Sequence, residues 1–169
     1  MLFLDIECYS NYFLISFLHH KTGKVAAFEL HDTQPLQIDA IKKLMNNYTT
    51  VSFNGLSYDL PMIAAALKGF SNARLKAMSD SIIKSNLPSW RVCKDNNIFV
   101  PKSWDHIDLI EVAPGQASLK IYGGRMNAPK MQDLPLEPDA LIQPEQFELM
   151  RLYCANDLRT TQMLYEQLE

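Results

Sequence analysis

The chain has 169 residues, 47% of them hydrophobic, and a formal net charge of −3. That length and composition predict one domain over residues 1–169, with a sizeable core. No apolar run is long enough to span a bilayer, and the opening MLFLDIECYS lacks a basic lead and is broken by Asp5 and Glu7; a membrane protein and a signal peptide are therefore excluded, and a cytoplasmic protein is expected.

Cys8, Cys93 and Cys154 have no paired spacing, which argues against a disulfide framework and against zinc. MLFLDIECY reads as a first strand. YFLISFLHH and KVAAFELH flank a turn at Gly23, which predicts a hairpin onto that strand. QPLQIDAIKKLMNNY carries Leu36, Ile38, Ile41, Leu44 and Met45 near helical spacing. TTVSFNG is a short buried strand ended by Asn54 and Gly55. LSYDLPMIAAALKGF is a helix, with Pro61 early enough to be tolerated and Gly69 just past its end.

Residues 70–103 are expected to be irregular. From position 68 to 102 there are seven basic residues (Lys68, Arg74, Lys76, Lys84, Arg91, Lys94, Lys102) against two acids, Asp80 and Asp95. A local basic region of this kind can meet phosphates although the whole chain is acidic. WDHIDLIEVA predicts another strand, and SLKIYGG a helical turn capped by Ser118. NAPKMQDLPLEPD is a loop. PEQFELMRLYCANDLRTTQMLYEQL is the last helix, with Phe147, Met150, Tyr153, Leu158, Thr161, Leu164 and Tyr165 on its inner stripe. The order β-β-β-α-β-α-loop-β-α-α predicts an α/β fold. A meander starts a central mixed five-stranded sheet, later strands lie parallel to the first, and helices cover both faces.

Four acids stand out. Asp5 and Glu7, two apart on a strand, share one face. Paired carboxylates are costly to bury unless a cation lies between them, and oxygen donors suit magnesium or manganese. Taken alone, the pair also reads as an edge strand whose polar face meets water. Asp59 opens a helix, where it equally favours the positive helix end. Asp157 lies one helical turn beyond Tyr153 on the same face, and alone it also reads as a solvated acid. Asp108 is read as structural.

Taken in order, Asp5-x-Glu7, Asn54-x-x-x-Tyr58-Asp59 and Tyr153-x-x-x-Asp157 resemble the three motifs of the proofreading 3′–5′ exonuclease superfamily, in its tyrosine subclass. The exonuclease domains of phage-type and family B DNA polymerases are the members most similar in spacing. The histidine subclass would need a His where this chain has Leu152. The resemblance spans residues 5–157, nearly the whole chain. It implies an RNase H-like fold and a metal-dependent 3′–5′ exonuclease acting on single-stranded DNA ends in proofreading. Asp5, Glu7, Asp59 and Asp157 would bind two Mg2+ or Mn2+ ions, and Tyr153 would position the attacking water. Asn54 and Tyr58 would contact the single-stranded end, and Lys120 or Lys130 would assist at the phosphate. Trp104, Met126 and Met131 are further candidates for packing on bases. The implied partner is a DNA polymerase domain or subunit, the chain being either a stand-alone nuclease or part of a larger polymerase, in the host cytoplasm if viral. Two rival readings remain open on the residues alone: an RNA-directed exonuclease on the same fold, and a module that binds strands without cutting them.

Overall fold

The computed structural model describes residues 1–115, 117–125 and 136–169. Its sheet has five strands: β1 (Leu2–Tyr9), β2 (Tyr12–His19), β3 (Val25–Leu30), β4 (Thr50–Ser52) and β5 (His106–Asp108), in the spatial order β3-β2-β1-β4-β5. The first three pair antiparallel through short turns. The strand β4 pairs parallel to β1, and β5 parallel to β4. Parallel pairing needs crossovers, and helices supply them. They are α1 (Ile38–Asn47) before β4, then α2 (Asp59–Leu67), α3 (Asn72–Lys84) and α4 (Ser89–Asp95) before β5. After β5 come α5 (Leu119–Arg125) and the long α6 (Phe147–Leu168). The fold is thus α/β, with a mixed sheet flanked by helices. Among the described residues, no helix is long and apolar enough to cross a membrane.

The alternation along β1 and β2 divides the interior. Leu2, Leu4 and Ile6 face one side with Phe13, Ile15 and Phe17, and pack against α1, α2 and α3. The other side of the sheet faces α6. There Phe3 and Leu18 join Leu158 and Leu164 in one apolar cluster, while Tyr9, Tyr12 and Leu14 join Met150 and Cys154 in another. Between those two clusters, on the same face of β1, come Asp5 and Glu7.

Two devices fix α6 over this face. Asn11, in the β1–β2 turn, donates from Nδ2 to the Ile142 carbonyl and accepts at Oδ1 from the Ile142 amide, each at 2.8 Å. Farther along, Arg151 donates from Nη1 to Glu29 Oε1 at 2.7 Å, and the Tyr12 hydroxyl donates to the other Glu29 oxygen.

Two expectations need correction. Residues 70–103 are not irregular: α3 and α4 occupy most of the segment. Ser71 caps α3 by accepting from the Arg74 amide at 3.3 Å, and Leu75, Met78 and Ser79 form its buried face. The strand expected over WDHIDLIEVA is only three residues long, because Asp108 turns the chain into a 3-10 helix at Leu109–Glu111 by accepting from the Ile110 amide. On α6, Phe147 and Tyr165 pack on the inner face as expected, against Tyr12 and Phe3, and Cys154, Ala155 and Thr160 join them there. Ser118 does cap α5, accepting from the Ile121 amide at 3.3 Å.

Candidate active site

Three elements bring acids together. From the middle of the sheet, β1 projects Asp5 and Glu7 toward α6. The first residue of α2 is Asp59, only 4% exposed. On α6, Tyr153 is 6% exposed and Asp157 is half-buried one turn away.

The acids act on one another electrostatically. Burial pushes Asp5 well above the usual carboxylate range, and the charges of Asp59, Glu7 and Asp157 push it further, while the Ile6 amide pulls it partly back. Glu7 is raised by burial, then by Asp157 and Asp59, and Lys120 opposes the shift. Asp59 rises to about 8 through burial and the nearby Asp108 charge. Asp157 rises to about 6 through burial, against the lowering effect of Lys120. Burial is the larger cause in each case, and the charges of Asp59 and Asp157 add to it at Asp5 and Glu7.

Tyr153 belongs to the same group. Its hydroxyl is held protonated by burial and by the charges of Asp157, Glu7 and Asp5. The Lys120 ammonium lies 5.8 Å from the centre of its ring, within cation–π range. Lys130 lies outside the described residues, as do Met126 and Met131. Trp104 packs against the main core rather than standing at the site.

The loop before α2 is shaped from below. Asn54 has φ 65°, in the left-handed region, and is exposed. Its amide and that of Leu56 donate to the two Asp108 carboxylate oxygens at 2.7 and 3.0 Å. Gly55 is required by close approach: a Cβ there would lie 1.8 Å from Ser52 Oγ. Asp108 is therefore structural, as expected. The Tyr58 hydroxyl is 2.6 Å from Ser79 Oγ on α3, so its polar end is engaged between helices.

Two residues that motif reasoning passed over also line the acids. Cys154 is fully buried, and its thiol donates to Asp5 Oδ2 at 3.6 Å. The ligand atoms of Asp5, Glu7 and Cys154 lie within 4.8 Å of one another. Burial and the Asp5 charge keep that thiol protonated, so it serves as a hydrogen-bond donor. Ser16, opposite Asp5 on β2, is wholly buried, with no hydrogen-bond partner at Oγ within normal distance among the described residues. The signal available for Cys154 is its place on the inner stripe, three residues before Asp157.

Compared with known proteins, the chain matches no family model, no curated protein and no solved structure, so a functional reading rests on this geometry and on the motif order.

Proposed function

We propose that the chain is a metal-dependent 3′–5′ exonuclease of RNase H-like fold, hydrolysing phosphodiester bonds at the 3′ end of single-stranded DNA. The observation that carries this reading is the Asp5–Glu7 pair on one face of β1, within electrostatic reach of Asp59 on α2 and Asp157 on α6, beside a protonated tyrosine. The donor set fits hard divalent cations. Four half-buried or buried carboxylates repel one another, and the soft donor found beside them among the described residues, the Cys154 thiol, is held protonated. Asp5, Glu7, Asp59 and Asp157 would hold two Mg2+ or Mn2+ ions. A pair of such ions supplies Lewis-acid charge neutralisation at the scissile phosphate.

The chain's own residues do the rest. Tyr153, kept protonated, donates its hydroxyl hydrogen and orients a water toward phosphorus. That water's oxygen bonds to phosphorus as the bond to the 3′ oxygen breaks; the water loses a proton to solvent and the departing 3′ oxygen takes one up, leaving a 3′ hydroxyl and a released nucleoside monophosphate. Lys120 offsets charge beside Glu7 and Asp157 and meets the phosphate. Asn54, exposed on its left-handed turn, is presented to the incoming end. Tyr58 braces α2 against α3.

The test is a 5′-labelled single strand incubated with magnesium, with and without chelator. Stepwise shortening from the 3′ end, abolished by chelator, is expected. A ladder that persists in chelator, or a single internal cut, would sink the proposal, and faster cutting of a matched RNA strand would transfer it to RNA.

A further inference from the structure

Beside the loop that leads to Asp59 there is an open groove of about 730 Å³, lined by Leu56, Pro61, Trp90, Lys94, Phe99 and Val100 among others. Its two aromatic side chains are unusually bare: Trp90 is 65% exposed and Phe99 80%. Single exposed apolar residues are ordinary on a surface. Two aromatics and a half-exposed leucine around one groove are not explained by packing.

The aromatics stand on a firm base. Ser89, next to Trp90, donates its hydroxyl to the Ser57 carbonyl at 2.7 Å, which ties α4 to the loop two residues before Asp59. Phe99 is held out by anchored neighbours. Ile98 is buried and donates its amide to the Cys93 carbonyl at 2.8 Å, and Asn97 turns with φ 57° while its carbonyl accepts from Lys68 Nζ at 2.7 Å. Lys94 lines the groove, and Arg91, next to Trp90, pairs with Asp95 at 3.2 Å.

We propose that this groove is a base-stacking platform for single-stranded DNA. Trp90 and Phe99 would stack on bases of the strand whose 3′ end enters the carboxylate site, with Lys94 on its phosphates. Every base has a π face, so aromatic stacking beside cations holds a strand without reading its sequence. The charge favours a polyanion over a protein partner, and Leu56 and Ser57 join the groove to the loop that carries Asp59. The proposal deepens the nuclease reading and rests on it for the strand's direction.

The test measures binding of (dT)12 in chelator, by tryptophan emission and by affinity. Binding is expected to quench emission from Trp90, while Trp104, packed on the core, contributes an unquenched remainder. Trp90→Ala and Phe99→Ala should each weaken affinity roughly ten-fold, and Trp90→Phe should restore most of it without the quench. Unchanged emission at saturation, or wild-type affinity in both alanine variants, overturns the platform. So does a dimer in sedimentation that Trp90→Ala dissolves while leaving oligonucleotide affinity untouched, since the groove would then be a contact between copies. The two readings separate cleanly. Trp90-dependent quenching with no shortening in magnesium keeps the platform and ends the nuclease, and shortening with unquenched Trp90 emission does the reverse.

Discussion

At the end of β5, Asp108 is 4% exposed, and its carboxylate accepts amide hydrogens from Asn54, Leu56 and Ile110 at 2.7, 3.0 and 3.2 Å. Beside it, His106 bridges the Thr50 and Ser52 hydroxyls at 2.7 and 2.8 Å. On β1, Asp5 and Glu7 are also drawn out of water, but they face Asp59 and Asp157. One region consumes its polar groups in holding strands and a turn. The other leaves acids facing acids, at a cost that folding alone does not offset. Three backbone donors make Asp108 part of the fold although Asp59 lies beside it, whereas Asp5 and Glu7 meet chiefly other carboxylates, which is where a cation is proposed.

The strongest way to break this contrast is to remove one acid from each region. Asp157→Ala is expected to lower the cleavage rate about 10³-fold, the loss of several kcal/mol of charge stabilisation. Metal-free thermal stability should stay level or rise, because repulsion is relieved. Asp108→Ala should do the opposite and destabilise by about 3 kcal/mol, since buried amides lose their acceptor. Unfolding curves and single-turnover rates on both variants decide it. If Asp157→Ala proves the less stable of the two, the contrast fails.

A smaller effect sharpens the role of Tyr153. Tyr153→Phe keeps the ring and loses the hydroxyl. If that hydroxyl orients water, single-turnover cleavage at saturating magnesium should fall at least ten-fold, while magnesium affinity holds. A wild-type rate with a stability loss of about 1 kcal/mol would make it a packing residue.

The smallest effect is in pH. Asp59 at about 8 and Asp157 at about 6 are both raised on folding. The folded chain therefore binds more protons than the unfolded chain, and the stability they contribute is lost as pH rises through those values. His106 is lowered by burial, so its contribution is present above its ordinary value and is lost as pH falls below it. Melting temperature in chelator should decline from pH 5.5 toward 8.5, and magnesium should reverse that decline. An identical profile with and without magnesium would separate the acids from any cation.

Much of this was legible in the residues. Period-two alternation predicts Asp5 and Glu7 on one face of β1, and helical spacing sets Tyr153 and Asp157 on one face of α6. The three-strand meander follows from similarly local signals, whereas the structural part of Asp108 is read from the family resemblance. The helix α3 was not legible because its buried face includes Ser79, which meets the Tyr58 hydroxyl instead of extending an apolar stripe. The basic character of that segment also misleads. Lys76 is 12% exposed at its side chain and pairs with Asp80 at 3.2 Å and Asp139 at 3.6 Å, so it braces the fold. The engagement of Tyr58 with Ser79 and the donation of the Cys154 thiol to Asp5 are long-range contacts, and no local pattern reports them.

The turn between β1 and β2 has a further consequence. Tyr9 pairs directly with Tyr12, leaving only Ser10 and Asn11 to reverse the chain, and this places Asp5 opposite Ser16 and Glu7 opposite Leu14. Inserting a single residue within β1 between Glu7 and Tyr9 would send Asp5 and Glu7 to the side of α2 and α3 if the hairpin kept its turn, and would bring Leu4 and Ile6 to face α6. The same slip would misalign Asn11 with Ile142, and with it the start of α6. Tolerance to insertion should therefore be all-or-none here. The hairpin acts as a ruler for the site, and lineages of this chain can vary in length at the Gly23 turn far more freely than between Leu2 and Leu18.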